Sequence, residues 1–197
     1  MAARIRQATW MLVSCLGMVL PGLAPAAVEP GYTYVEAGYL HTDFDRHGDG
    51  SGLLAGGSYA LNRNIHAVAA YETADLDHEA DYSAVSVGLG LNLPLRPGLD
   101  LVGRARFINA DVDRPGDDDE TGFSLEGLAR VMINPQLELN GGVLYEDVFD
   151  SNTALELGAV YEVVKNVAIG AGLAVSDDVT RFNLGVRFYF TPPAQLR

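Results

Sequence analysis

Hydrophobic and polar residues alternate along most of the chain after about residue 30. The clearest run is 181–190, in which every second residue is leucine, valine or phenylalanine. Successive side chains of a β-strand point to opposite faces, so this run predicts a strand with one face of hydrocarbon. The opposite face of the same run carries Arg181 and Arg187.

Turn signals divide the chain into similar runs that are spaced regularly. We predict about ten strands, near residues 32–42, 52–61, 65–75, 82–95, 99–110, 122–133, 137–146, 153–164, 167–175 and 179–190. The connections at 62–64, 96–98, 134–136 and 165–166 read as tight hairpin turns. Those at 43–51, 76–81, 111–121, 147–152 and 176–178 are mostly longer and acidic. Short turns at one end and longer loops at the other predict an up-and-down order of strands.

Charged residues within these runs fall on one parity of each strand. The carboxylates of this parity are Glu36, Glu72, Asp100, Glu126, Glu138, Glu146, Glu156 and Glu162, and its arginines are Arg104, Arg106, Arg130, Arg181 and Arg187. The opposite parity is mostly aliphatic, as in the run 85–93. An arginine or lysine on the lipid face destabilises a barrel by about 2–4 kcal/mol near the bilayer midplane. This cost explains why charged residues are absent from the aliphatic parity.

The pattern therefore predicts an all-β protein, an antiparallel up-and-down transmembrane β-barrel of about ten strands, with eight as the alternative. A soluble, lipocalin-like barrel is the competing interpretation, in which the apolar parity would point inward. The many glycines of the polar parity favour the membrane barrel, because small residues leave room in a narrow lumen for long charged side chains.

The first 27 residues read as a secretory signal peptide. Arg4 and Arg6 precede an apolar core, and small residues at 24–27 offer a cleavage site. A lipoprotein signal ending at Cys15 is the alternative. Residues 28–190 are predicted to form the barrel, and residues 191–197 a short periplasmic tail. The formal net charge of −13 makes nucleic acid an unsuitable partner.

The run 32–39, which contains the pattern Tyr-Val-Glu-x-Gly-Tyr, and the ending Phe188-Tyr189-Phe190 carry a resemblance. The chain resembles small outer-membrane β-barrel proteins of Gram-negative bacteria, and in particular a xanthomonad-type, porin-like barrel family. The resemblance implies an integral protein of the outer membrane, inserted by the barrel-assembly machinery, with no enzymatic activity assured. It also implies that Phe188, Tyr189 and Phe190 act as the assembly signal, although residues 191–197 follow them.

The inward charges are the main candidates for a functional site. We expect a lumen network of Arg–carboxylate pairs, because desolvated charges need partners and guanidinium groups bridge carboxylates well. The network is either a structural plug or the selectivity lining of a small pore. Its predicted members are Glu36, Glu72, Asp100, Arg104, Arg106, Glu126, Arg130, Glu138, Glu156, Glu162, Arg181 and Arg187.

Other candidate chemistry is weak. Asp43, Asp45 and Asp49 alternate as calcium ligands do, but the spacing does not fit a known calcium loop. Catalysis would need His41 with Asp43, or His78 with Asp77 and Ser83, and we expect no His–Ser pair on a lipid-facing strand. His66 lies beside a short turn and is expected to be structural. We therefore predict no enzyme, no cofactor and no metal.

The sequence as a whole predicts an exported protein of the outer membrane. Its expected role is structural or in surface interaction, and a narrow porin-like channel for small solutes or ions is the alternative. The expected partners are outer-membrane lipids, lipopolysaccharide and, during insertion, the barrel-assembly machinery, and the protein is expected to be a monomer.

Overall fold

Antiparallel strands pair in chain order around a closed barrel. The protein is described by a computed structural model over residues 29–44, 48–76, 80–113 and 118–190. The strands are β1 (Tyr34–Phe44), β2 (Gly48–Ala60), β3 (Ile65–Leu76), β4 (Ala80–Arg96), β5 (Leu99–Asp113), β6 (Asp118–Asn134), β7 (Leu137–Val148), β8 (Asp150–Val164), β9 (Val167–Val175) and β10 (Val179–Tyr189). Because β1 pairs with β10, no strand of the sheet is left with an open edge. The prediction of a ten-stranded barrel is confirmed.

The four short turns are formed by residues with suitable backbone chemistry. Side-chain oxygens of Asn62 and Asn134 each accept two backbone N–H bonds within their own turns, at 2.8–2.9 Å. Gly98 and Asn166 adopt positive φ angles of 76° and 68°, which glycine and asparagine tolerate best. The predicted positions of these turns are confirmed, and they define the end of the barrel called here the periplasmic end.

At the opposite, outer end, the strands are longer than predicted. β2 begins at Gly48 rather than 52, β5 ends at Asp113 rather than 110, and β6 begins at Asp118 rather than 122. Aspartate and glycine have low β-propensity, so the sequence placed these stretches in loops. Backbone pairing between neighbouring strands nevertheless continues through them, for example between Asp43 and Asp49.

The aliphatic parity of the strands lies on the outside of the barrel. Leu89 is 56% exposed, and its neighbours Val85, Val87, Leu91 and Leu93 are each about half exposed. A soluble barrel would bury these side chains, since large contiguous apolar surfaces are rare in water-soluble monomers. The lipocalin-like alternative is therefore wrong, and the outer wall is suited to acyl chains.

The predicted signal peptide at 1–27 and the predicted tail at 191–197 lie outside the described residues. Both assignments stay predictions. No helix among the described residues is long and apolar enough to cross a membrane.

Candidate functional site

The lumen receives all the charged side chains that were predicted for it. The strand register and the alternation of burial place these residues on the inward face of their strands. They do not form one continuous network, however. They divide into separate pairs and clusters at different heights in the barrel.

The central cluster joins two arginines of β5 to one carboxylate of β6. Arg104 Nη1 donates to Glu126 Oε1 at 2.8 Å, and Arg106 Nη2 donates to the other oxygen, Oε2. The Glu126 side chain is only 5% exposed, so its charge depends on these two partners. Glu156 of the facing strand β8 lines the same part of the lumen.

A second pair lies closer to the periplasmic end. Arg130 donates from Nε and Nη2 to the two carboxylate oxygens of Glu138 at 2.7 and 2.8 Å. This two-pronged geometry is the strongest form of Arg–carboxylate contact. Arg130 also donates to the carbonyl oxygen of Gly31 at 3.2 Å. It therefore ties the wall of the barrel to the segment that precedes β1.

Two further pairs involve β10. Arg187 donates to Glu36 Oε2 of β1 at 2.7 and 2.9 Å and lies 4.0 Å from the ring centre of Tyr34. This stacking adds a cation–π contact to the ion pair. Nearer the outer end, Arg181 Nη2 is 3.3 Å from Glu146 Oε1.

The remaining predicted members bind elsewhere or stand apart. Glu162 accepts the backbone N–H of Asn166 at 3.0 Å and so stabilises a turn. Asp100 accepts the hydroxyl of Tyr32 at 2.6 Å. Glu72 and Glu156 form no ion pair within the described part of the chain.

The segment before β1 enters the periplasmic mouth of the barrel, which the sequence did not predict. Tyr32 is 5% exposed, and its ring lies 4.8 Å from the ring of His66 and 4.5 Å from the guanidinium carbon of Arg130. Its carbonyl accepts the Ser58 hydroxyl at 2.8 Å. The first strand was predicted to begin at residue 32, whereas it begins at Tyr34. Pro30-Gly31, a pair that interrupts strands, was the available signal.

His66 is fully buried beneath this segment. Its imidazole ring occupies the space that Gly90 leaves by having no side chain. A side chain at position 90 would come within 2.1 Å of the imidazole, so only Gly90 leaves space for the ring. Arg104 Nε donates to His66 Nε2 at 3.4 Å. His66 thus links the periplasmic segment to the central arginine cluster.

Between these clusters lies a polar cavity of about 210 Å³. One side carries Arg104, Arg106 and Glu126, and the facing wall from β7 to β10 is rich in glycine. Because glycine has no side chain, this wall leaves space for the charged side chains that extend from β5 and β6. The cavity is large enough for several water molecules or one small solute.

Toward the outer end, buried small and apolar side chains lie beside the Arg181–Glu146 pair. Leu40 is 5% exposed, and Ile108, Leu144, Ala84 and Ala154 are also buried. These residues come from five different strands. Leu144 and Ala154 line a small cavity of about 20 Å³ together with Glu146 and Arg181.

The outer rim, defined here as the outer ends of the outward faces, carries acidic residues. Asp43 lies opposite Asp49, Asp75 opposite Asp81 and Asp111 opposite Asp119. These side chains lie above the apolar wall, and all except Asp75 belong to stretches that were predicted as loops. Asp45, the third weak metal candidate, lies outside the described residues. Among the described residues, no three His, Cys, Asp or Glu side chains are grouped as metal ligands.

The rim also contains a His–Ser pair that was not expected. His41 Nδ1 is 3.1 Å from Ser51 Oγ, and the two residues face each other across β1 and β2 on the outward side. The expectation of no such pair on a lipid-facing strand is wrong, because the longer β2 brings Ser51 into the sheet. Of the other catalytic candidates, Asp77 and His78 lie outside the described residues.

The aromatic residues of the predicted assembly signal lie at the periplasmic end of β10. Phe188 and Phe190 face outward, with ring centres 5.3 Å apart in an edge-to-face arrangement, and Tyr189 is buried in the lumen. Phe190 N–H donates to the carbonyl of Thr33 at 3.2 Å. Outward aromatic rings at this level fit the interface between acyl chains and headgroups.

A family model described as "Outer membrane protein beta-barrel domain" matches residues 12–190, nearly the whole chain. The protein belongs to this outer-membrane β-barrel family. Family membership and the closed barrel together place it in the outer membrane. The narrower xanthomonad-type likeness stays a prediction, and no curated protein matches the sequence.

Solved barrels of this general kind show low sequence identity to the outer-membrane chain. The KdgM porin in complex with disordered oligogalacturonate is 12% identical, covers 80% of this chain and 99% of its own, and has a TM-score of 0.48. The Neisserial surface protein A is 16% identical, and the match covers 81% of this chain and 96% of its own, with a TM-score of 0.41. Ail of Yersinia pestis is 16% identical, and the match covers 81% of this chain and 99% of its own, with a TM-score of 0.39. Similarity at this level says nothing about what the chain does.

Proposed function

We propose that this outer-membrane barrel is closed to solutes and has a structural or surface-interaction role. The observation that carries the proposal is the burial of inward side chains at both ends of the lumen. In a water-filled channel, inward side chains would be accessible to water along the whole path. Small barrels of eight or so strands are commonly filled by their own side chains, and ten strands leave only slightly more room.

The periplasmic closure rests on the segment that precedes β1. Tyr32 fills the mouth, its hydroxyl donates to Asp100, and its ring stacks against Arg130. Thr33 adds two further bonds, since its side-chain oxygen accepts from Ala60 N at 3.2 Å and its carbonyl accepts from Phe190 N. Several bonds to different strands favour a fixed closure over a loosely held segment.

The outer closure combines buried apolar side chains with the Arg181–Glu146 ion pair. Leu40 of β1, Ile108 of β5 and Leu144 of β7 are buried toward this end, and Ile108 packs in one cluster with Ala84 of β4. An ion entering this end would lose water against the apolar side chains, which is energetically costly. The nearest charges, Arg181 and Glu146, are already paired with each other.

With both ends closed, the surfaces left to act are the wall and the outer rim. The wall fits membrane lipid, and the acidic rim lies at the level of lipopolysaccharide headgroups, whose phosphates are bridged by divalent ions. We infer that the protein is an exported monomer with a cleaved signal peptide. We also infer that the barrel-assembly machinery reads Phe188, Tyr189 and Phe190 during insertion.

Recording from single proteins in planar lipid bilayers tests the closed state. We expect no steady conductance steps from protein whose folding has been verified by its heat-modifiable gel mobility. A porin recorded in the same membranes serves as a control for the instrument. Steady, reproducible steps from the folded protein would contradict the proposal.

The polar cavity supports the second candidate function, a narrow channel for small solutes or ions. Its lining by Arg104, Arg106 and Glu126 would set the charge preference of such a path. In that case Arg106→Ala and Glu126→Ala would each change the size or ion preference of the conductance steps. An absence of steps in the wild type would rule this candidate out.

A further inference from the structure

The His–Ser pair at the outer rim lies at a defined height on the barrel. Below it on the outward face come Ala37, Leu53 and Ala55, and above it come Asp43 and Asp49. Leu53 is 67% exposed, so the wall beside the pair presents hydrocarbon to the membrane. The pair therefore lies where acyl chains of the outer leaflet give way to polar headgroups.

The hydrogen bonds around Ser51 have a direction. The hydroxyl of Tyr39 donates to Ser51 Oγ at 2.8 Å. The Ser51 hydroxyl is then able to donate its own proton to His41 Nδ1, 3.1 Å away. A serine hydroxyl that donates to an imidazole nitrogen is the arrangement in which histidine acts as a general base.

We propose that Ser51 and His41 form a catalytic pair that hydrolyses long-chain carboxylic esters of outer-leaflet lipids. The acyl chain would lie along the apolar wall of β1 and β2, which brings its ester carbonyl to the level of Ser51. This activity goes beyond the closed barrel proposed above and does not depend on the state of the lumen.

The reaction proceeds in two balanced steps. Ser51 Oγ attacks the carbonyl carbon while His41 accepts the hydroxyl proton, the ester C–O bond breaks, and the leaving alcohol takes the proton from the imidazolium. Water, deprotonated by His41, then attacks the acyl-serine, which releases the fatty acid and returns the proton to Ser51. The sum is ester plus water giving acid plus alcohol.

Tyr39 has a separate role in these steps. Its hydroxyl, already within hydrogen-bond distance of Ser51 Oγ, is placed to donate to the oxygen that becomes negative when the carbonyl carbon is attacked.

Covalent labelling tests the nucleophile directly. The folded full chain in detergent micelles is treated with a long-chain alkyl fluorophosphonate, and the adduct is located by peptide mass spectrometry. We expect one adduct, on Ser51, and none in Ser51→Ala. His41→Asn should slow labelling by about 10²–10⁴-fold, the usual effect of losing a general base.

Hydrolysis is tested by the release of fatty acid from mixed micelles of the folded protein. One arm contains phospholipid and the other lipopolysaccharide, which identifies the source of the ester. Ser51→Ala should reduce release to background, and Tyr39→Phe should reduce it by about 10²-fold. Ser151→Ala is the matched control, since Ser151 also faces outward at the outer end of its strand, opposite Asp147 rather than a histidine. It should retain full activity.

Folding of every variant is verified by heat-modifiable gel mobility before either assay. The proposal is overturned if folded wild-type protein is neither labelled nor able to release fatty acid in either arm. It is also overturned if Ser51→Ala and Ser151→Ala behave alike. Neither result bears on conductance, so this proposal and the closed lumen stand or fall separately.

Discussion

Tyr32→Phe removes a single oxygen from the periplasmic closure and tests whether that closure is held by specific bonds. The lost hydroxyl is 2.6 Å from Asp100 Oδ2, and Asp100 is 3% exposed. The aromatic ring remains, so its contacts with His66 and Arg130 are preserved. The substitution therefore isolates the hydrogen bond from the packing.

The expected cost follows from leaving a buried carboxylate without its donor. Hydrogen bonds to charged groups contribute roughly 1.5–3 kcal/mol, and an unsatisfied buried charge is at least as costly. We expect the free energy of unfolding to fall by about 2 kcal/mol. With a urea dependence of about 2 kcal/mol per molar, the unfolding midpoint falls by about 1 M.

The assay is urea unfolding of the barrel in phospholipid vesicles, followed by heat-modifiable gel mobility. In an Asp100→Asn background, Tyr32→Phe should cost about 1 kcal/mol or less, because a neutral amide is cheaper to leave unpaired. Tyr59→Phe is the control, since Tyr59 is an exposed outward tyrosine. Equal midpoints for Tyr32→Phe and Tyr59→Phe would refute the closure as described.

Two further predictions address the wall and the lumen. Leu157→Arg, at mid-height on the outward face of β8, should reduce the free energy of unfolding in vesicles by about 2–4 kcal/mol. Ser151→Arg, at the outer end of the same face, should reduce it by about 0–1 kcal/mol. Equal costs would contradict the depths assigned to these two residues. Arg130→Lys keeps the charge but loses the two-pronged contact with Glu138, so the unfolding midpoint in urea should fall clearly below that of the wild type, by about 1 M or more. An unchanged midpoint would mean that this contact is not formed in the membrane.

The sequence predicted the barrel because one physical constraint acts on nearly every strand. Charged residues are excluded from every second position, the one that faces the wall, as along β4 from Val85 to Leu93. This alternation can be recognised even when the ends of a strand are uncertain. The short turns were predictable for a similar reason, since Gly98 and Asn166 meet local backbone demands.

The partners within the lumen could not be predicted in the same way. Parity places Arg104 and Glu126 on the same face, but only the register between β5 and β6 makes them neighbours. The outer ends were missed because aspartates and glycines were read as loops, which kept Ser51 away from His41. Tyr32 was assigned to the first strand because it is two residues before Tyr34 and so shares its inward-facing parity. The prediction therefore missed that the strand begins only at Tyr34.

The claim on which everything else depends is that alternate strand positions face acyl chains and their neighbours face the lumen. Single cysteines placed one at a time over residues 154–160 of β8, in a Cys15→Ser background, can be spin-labelled and measured for collision with oxygen in lipid bilayers. The account predicts high oxygen accessibility at 155, 157 and 159 and low values at 154, 156, 158 and 160. Uniform accessibility, or the opposite alternation, would contradict it.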